Sequence, residues 1–262
     1  AKANLLDWTT ASLDPTVYTQ ITEYDALNRM QRLYNWHYND PASGTRVAVY
    51  EPTYSPRGVL QSEDLVVDAQ KTVSSFAGGT RQTVVSGITY DAKGQKMQLR
   101  HGNGTTTRYE YDPLTFRLKN IRTIPAIIGA GALLQDLSYI YDPVGNITEI
   151  QDNAYKPVFF NGARVLPQNT YTYDVLYRLI AATGREQANL GAPAQKDSAW
   201  RPQSFAISDT TLQGYEQHYE YDQVGNILKM RHIADTGAWT RNYQYDLDSN
   251  RLLATQMGSA LA

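Results

Sequence analysis

The chain has no cysteine, which excludes disulfides and thiolate metal sites and suits synthesis in a reducing cytoplasm. It has almost no charge imbalance: 24 basic against 26 acidic residues give a formal net charge of -2. That leaves no basic excess for nucleic acid or an anionic membrane, and no acidic tail. No apolar run approaches the ~18 residues of a membrane helix; the longest, "IIGAGALL" at residues 127–134, is far too short. The opening "AKANLLDWTT" lacks the basic-then-apolar order of a signal peptide and an initiator Met, so the chain is expected to be a piece of something longer. Phenylalanine is scarce, with 5 Phe against 20 Tyr. Tyrosine suits rings that are half in contact and half wet, because its hydroxyl needs a partner or water. The 262 residues are enough for one large domain or two small ones.

Against these absences stands one excess. Tyr-Asp occurs seven times, at Tyr24-Asp25, Tyr90-Asp91, Tyr111-Asp112, Tyr141-Asp142, Tyr173-Asp174, Tyr221-Asp222 and Tyr245-Asp246, where composition alone gives about 1.4. "TYSPRGVLQSE" reads as a decayed eighth copy, with Ser55 in place of the acid. Five copies carry a second tyrosine two residues earlier: Tyr109, Tyr139, Tyr171, Tyr219 and Tyr243. Positions i and i+2 share a strand face, so each pair forms part of an aromatic stripe. After the acid come turn formers, as in "DPVGN" with Gly145 and Asn146 and "DQVGN" with Gly225 and Asn226. Asp bonds backbone groups just ahead of it, while Gly and Asn accept positive φ.

An apolar residue then resumes the strand. It lies six residues after the tyrosine at Met30, Leu60, Ile147, Leu179 and Ile227, and seven after it at Met97, Leu118 and Leu252. One extra residue within a strand would flip every later side chain, so loops of about five or six residues with a bulge absorb the difference. Each copy reads as strand, turn, strand. The fold class is all-β, an antiparallel sheet of successive hairpins. Copy spacing varies from 21 to 48 residues, too irregular for a propeller or a tight solenoid. Residues 1–262 read as one repeat region carrying two insertions. Residues 122–137 have room for a short helix, and residues 182–214, rich in Ala, Gln, Ser and Pro, read as a loop open to proteolysis.

These motifs resemble those of the RHS/YD-repeat family. "YTQITEYDALNRMQRLYNWH", "YDAKGQKMQLRHGNGTTTRYEYDPLTFRL", "YTYDVLYRLIAATGRE" and "YEYDQVGNILKMRH" look like the RHS region of bacterial insecticidal toxins, most of all the carboxy-terminal RHS part of the Tc toxin B component. The resemblance implies a sheet curved or spiralling as a segment of a shell around a toxic polypeptide, with no catalysis of its own. It implies as partners the rest of the shell and the enclosed polypeptide; the balanced charge and short apolar runs point to no nucleic acid and no membrane insertion, and the two raw edges of an isolated stretch lead to an expectation of edge-to-edge self-association or of an insertion folded over an edge. The implied location is a secreted or cell-surface toxin complex of a bacterium. The family's self-cleaving DPxGL-type motif is missing: Asp112-Pro113 and Asp142-Pro143 sit in ordinary repeat turns without Gly-Leu.

No residue set reads as a catalytic, cofactor or metal site. Paired carboxylates drive glycoside hydrolysis, but seven equivalent aspartates point to turn capping. "DLDSN" (Asp246, Asp248, Asn250) opens like a calcium loop, yet Arg251 and Met257 stand where that loop needs Gly and Glu. His37, His101, His218 and His232 are scattered without metal-ligand spacing and read as surface or strand residues. "HGNGTTT" from His101 lacks the third glycine and helix of a phosphate fingerprint, and reads as a hairpin turn before a Thr-rich strand. No G-x-S-x-G occurs. Arg117, Arg178 and Arg251 recur near the second strand and are expected to bridge to turn aspartates. The rival reading is a carbohydrate-binding module, with Trp8, Trp36, Trp200 and Trp239 as stacking platforms. A glycosidase or cryptic protease ranks below both.

Overall fold

The computed structural model describes residues 15–37, 44–127, 133–188 and 211–258. The described residues form an all-β chain of nineteen strands with no α-helix among them. The strands fall into two compact units, residues 1–107 and 108–262, divided within β8 (Thr106–Tyr111).

The first unit is an antiparallel ladder of β1 (Thr19–Tyr24), β2 (Met30–His37), β3 (Arg46–Tyr54), β4 (Leu60–Lys71), β6 (Thr80–Tyr90) and β7 (Lys96–His101), with the two-residue β5 (Phe76–Ala77) on the far end of β4. Its apolar core is small: Tyr34, Val47, Val49, Val66 and Ala69 are buried, and Phe76 meets the Tyr34 ring edge-on at 6.4 Å. A row of charges crosses the same strands. Glu23, Arg32, Glu51, Arg81 and Asp64 alternate in sign, with Arg32–Glu51 at 2.8 Å and Arg81–Asp64 at 3.1 Å. Cross-strand pairs of opposite charge contribute about 0.2–1 kcal/mol each. Desolvation would raise the Glu51 carboxyl, but hydrogen bonds from Arg32 and Arg81 outweigh it and hold the group below its usual range.

The second unit repeats the ladder through β9 (Leu118–Ile124), β10 (Gln135–Tyr141), β11 (Ile147–Asp152), β14 (Gln168–Tyr173), β15 (Leu179–Gln187), β16 (Leu212–Tyr221), β17 (Ile227–Ala234), β18 (Trp239–Tyr245) and β19 (Leu252–Met257). Two short strands, β12 (Val158–Phe160) and β13 (Ala163–Val165), form a separate ribbon that lies against β16. Burial here is sparse and largely polar. Among the described residues its buried apolar side chains are Val165, Ala182 and Ala188, whereas Asp136, Gln213, His232 and Asn242 are also buried.

The two expected insertions are partly covered. Residues 122–124 belong to β9 and 135–137 to β10, while 128–132 lie outside the described residues. Likewise 182–187 belong to β15 and 212–214 to β16, whose pairing brackets the gap, and 189–210 lie outside. All four histidines fall in strands, but His37 and His232 are buried rather than on the surface, because each ring finds hydrogen-bond partners there.

Seven hairpins have a register shift immediately before the repeat tyrosine. In six of them the tyrosine pairs with the residue six positions on, and in the last, Tyr245 pairs with Leu252, seven on. Tyr90 pairs with Lys96, so Met97 is the bulged residue and not the strand start, which corrects its spacing of seven. A bulge places one unpaired residue and adds twist without reversing the faces further along.

Two glycines of the first unit separate crowding from chain freedom. A Cβ on Gly102 would lie 1.6 Å from the Thr83 carbonyl oxygen, while one on Gly87 would meet nothing within 4 Å. Gly102→Ala should therefore destabilise the chain by about 1–3 kcal/mol, and Gly87→Ala should be neutral or stabilise by up to about 1 kcal/mol. Urea unfolding of the two variants checks this; equal effects would contradict it.

Candidate functional site

The repeat turns close in one way. The Asp N–H donates to the carbonyl four residues ahead in the copies at Asp25, Asp91, Asp142, Asp174 and Asp222, at 2.8–3.0 Å, and five ahead at Asp112 and Asp246. The carboxylate Oδ1 then accepts backbone N–H groups inside the turn, such as Leu27 and Arg29 for Asp25, Lys93 and Gln95 for Asp91, and Val224, Gly225 and Asn226 for Asp222. Oδ2 is clamped from the far side of the turn by Arg29, Asn146, Arg178, Asn226 or Arg251 at 2.7–3.2 Å. One turn residue takes a left-handed backbone: Asn28, Gly94, Phe116, Gly145, Tyr177 or Gly225. Ser55 closes the same turn through its backbone, and so does His101 in "HGNGT".

These bonds set the acid strength. The carboxyls of Asp25, Asp112 and Asp174 sit below the usual range, chiefly through the backbone N–H of Arg29, Thr115 and Arg178 respectively. For Asp142 and Asp222 desolvation opposes the shift, and the asparagine side chain with the turn N–H groups overcomes it. The Asp246 carboxylate is occupied by the Asp248 N–H and Arg251, so the calcium-like "DLDSN" is a turn of the same kind.

The tyrosines do something the sequence did not announce. Their hydroxyls reach back to the preceding copy: Tyr90 donates to the Leu60 carbonyl at 2.8 Å, Tyr141 to Leu118 at 2.7 Å, Tyr173 to Ile147 at 2.8 Å and Tyr221 to Leu179 at 2.7 Å. Each acceptor is the apolar residue that resumes the strand after a turn. The arginine beside that residue adds a second link. Arg117 lies over the Tyr141 ring and donates to the Asp142 and Pro143 carbonyls; Arg178 lies over Tyr221 and donates to the Asp222 carbonyl; Arg29 lies over Tyr54 at 4.7 Å. Arg178 and Arg251 bridge to their own turn aspartates as expected, whereas Arg117 reaches the next turn. Burial pushes the Tyr90, Tyr141, Tyr173 and Tyr221 hydroxyls above their ordinary ionisation range.

The second unit also holds a polar cluster. His232 is 4% exposed, stacked on Trp239 at 5.2 Å and tilted against Tyr215. The Gln217 amide donates to His232 Nδ1, leaving Nε2–H to donate to Glu186 Oε1 at 3.0 Å. Gln213, 1% exposed, donates to Glu186 and to the Thr236 carbonyl. The cluster ties β15, β16, β17 and β18 together. Trp8 and Trp200 lie outside the described residues. Among the described residues no three His, Asp or Glu side chains gather as a metal site, and no helix is long and apolar enough to cross a membrane.

Comparison with known proteins agrees with this architecture. No family model matches the chain. It is 41% identical over 187 residues to toxin subunit YenC1 of Yersinia entomophaga, covering 70% of the chain and 19% of that protein. It is 35% identical over 235 residues to toxin subunit YenC2 of the same organism, covering 82% and 24%. The chain thus spans about a fifth to a quarter of the curated relatives it matches. Among solved structures it resembles TcdB2-TccC3-Cdc42, with a TM-score of 0.67 and 32% identity over 92% of the chain and 10% of the other. It likewise resembles a chain of the Photorhabdus luminescens Tc holotoxin pore, with a TM-score of 0.65 and 33% identity over 90% and 10%.

Removing one hydroxyl isolates the inter-repeat bond. Tyr221→Phe should cost about 0.5–1.5 kcal/mol, read from the urea midpoint at unchanged slope; no loss would contradict the bond. The titration runs in both directions. The aspartates are shifted below 3.8, so the stability they confer is complete above that value and lost as pH falls through their folded values. The tyrosines are shifted above 10.0, so theirs is complete below pH 10 and lost as pH rises through the folded values. A melting temperature flat from neutrality down to about pH 2 would contradict the acid limb.

Proposed function

The chain belongs to the RHS/YD-repeat proteins related to Tc toxin subunits, and from that premise we propose that it is one stretch of a β-sheet wall that encloses a toxic polypeptide. The observation that carries this reading is the tyrosine joint, which fastens four of the hairpins to their predecessors by directional bonds while little apolar surface is buried among the described residues. A container needs that economy. A fully apolar face would collapse a wet cavity or hold an unfolded cargo fast, and a strong field of one sign would select among cargoes. Half-buried tyrosines and a near-neutral sequence meet both demands.

In this reading the sheet curves or spirals as one segment of a shell, residues 1–262 act as one repeat region, and 182–214 is an insertion between hairpins. The partners are the remaining shell and the enclosed polypeptide, in a toxin complex exported from a bacterium. Catalysis is not assigned to the segment, since each repeat carboxylate is spent inside its own turn. A carbohydrate-binding role draws no support from Trp239, whose face is taken by His232.

The test uses the longer protein that carries this segment, expressed with its cargo polypeptide and exposed to protease. The cargo should be protected, and replacing Tyr141, Tyr173 and Tyr221 together by Phe should hasten its cleavage by tenfold or more, about 1 kcal/mol per joint being lost. Cargo cleaved equally fast in both proteins would count against the wall. Micromolar binding on a glycan array, lost on Trp239→Ala, would favour the carbohydrate module instead.

A further inference from the structure

Asparagine followed by glycine occurs twice in the chain, at Asn103-Gly104 and Asn161-Gly162. Every other asparagine is followed by a residue whose side chain shields its backbone nitrogen. Glycine leaves that nitrogen open to approach the asparagine amide carbon. Both pairs sit in turns, yet the two turns treat them oppositely. At Asn103 the Thr105 N–H and hydroxyl donate to Oδ1 at 3.0 and 2.8 Å, and the Gly104 N–H donates to the His101 carbonyl at 3.0 Å. Electrophile and nucleophile are both tied down. Asn161 and Gly162 are exposed, and no described residue bonds the Asn161 side chain or the Gly162 N–H. A Cβ on Gly162 would meet nothing within 4 Å, so the nitrogen is unobstructed.

The second pair is also the tip of a lightly held element. It joins β12 to β13 as a two-residue turn between Phe160 and Ala163, with φ of 47° at Asn161 and 79° at Gly162. Left-handed backbone at both positions is the type I′ geometry that Asn-Gly favours. Each strand is three residues long, and a two-stranded ribbon of that size opens cheaply. Its buried anchor is Val165, 6% exposed, where the ribbon lies against β16.

We propose that Asn161 is a modification site, converted spontaneously to aspartate and isoaspartate, and that this conversion unlatches the ribbon from β16. The Gly162 nitrogen, its proton taken by hydroxide, attacks Asn161 Cγ. The tetrahedral adduct expels Nδ2, which takes a proton from water and leaves as ammonia, and a succinimide closes. Water then opens the ring at either carbonyl, giving aspartate or isoaspartate. Isoaspartate routes the main chain through the side chain and adds a methylene to a turn built for two residues. Phe160 and Ala163 then lose their pairing, and Val165 its seat. Ribbon and sheet together bound a cleft of about 640 Å³, lined by Val165, Leu166, Gly184, Gly214, Glu216 and Ile233 among others, which the release lays open. Neither step draws on enclosure of a polypeptide, so the two readings can fail separately.

The test incubates the full chain in mildly alkaline buffer and follows both asparagines by peptide mapping, with isoaspartate located by fragmentation. Position 161 should convert about tenfold or more faster than position 103, where hydrogen bonds must open first. Trypsin supplies the structural readout. Arg164 lies within β13, so cleavage after it should be slow in fresh protein and about fivefold or more faster after incubation. Asn161→Gly removes the amide and keeps the turn, because Gly-Gly also accepts type I′ geometry. That variant should stay resistant after Arg164 through the same incubation, with circular dichroism verifying its fold. Equal conversion at 103 and 161, conversion without faster cleavage after Arg164, or Asn161→Gly becoming as sensitive as the wild type would overturn the proposal.

Discussion

Among the described residues of the second unit, three buried apolar side chains are too few to fix nine strands in register, and the hydrogen bond from a repeat tyrosine to the preceding turn exit supplies what packing does not. A backbone ladder resists separation of strands but slides cheaply when neither face is strongly apolar. A hydroxyl aimed at one carbonyl cannot slide. The arginine fastens the ring from above and the next turn from the side, so a shift of one residue would break several bonds together. Phenylalanine would fill the same space without the bond, which is the physical sense of 20 tyrosines beside 5 phenylalanines.

The joint needs rigid turns to aim it, and the aspartate provides them. A left-handed backbone at Phe116 or Tyr177 is unfavourable for residues of that size. It persists because the carboxylate captures the N–H groups around it, and in the Tyr177 turn Arg178 also clamps the other oxygen. Gly145 has an additional reason to be glycine. A Cβ there would sit 3.1 Å from Arg117 Nη2, where the guanidinium passes to the Pro143 carbonyl. In the hairpins of Leu60, Ile147 and Leu179 the bulge falls directly after the residue whose carbonyl takes the tyrosine, so turn, bulge and joint share one place in each copy.

Much of this was legible from the residues alone, and the boundary is instructive. Hairpins could be read because alternation and turn chemistry are local, and "DPVGN" declares both. The capping role of Asp142 and Asp222 could be read for the same reason. The joint could not, because its acceptor is a backbone carbonyl, which every residue owns, and the tyrosine lies 23–42 residues away. The one available signal was the recurrence of Arg beside Leu at 117, 178 and 251. It suggested ion pairs within the turn, correctly for Arg178 and Arg251, but Arg117 has Thr115 holding Asp112 and is free to reach forward. The His232–Glu186–Gln213 cluster left even less trace, being assembled from three strands.

Irregular spacing and uniform joints are two sides of the same energetics. The loops that the joints close range from 23 residues between Leu118 and Tyr141 to 42 between Leu179 and Tyr221, yet the hydrogen bonds are equally short. Loop entropy grows only with the logarithm of length, so the longer loop costs about 0.5 kcal/mol more to close. One tyrosine hydrogen bond is worth about 1 kcal/mol, enough to offset that difference. Insertions between copies can therefore lengthen, as β12 and β13 do between β11 and β14, without disturbing the register on either side. A fold held by a common apolar core has no such freedom, because an insertion there displaces shared packing. Here each hairpin answers only to its neighbour, and a sheet built this way can be extended copy by copy.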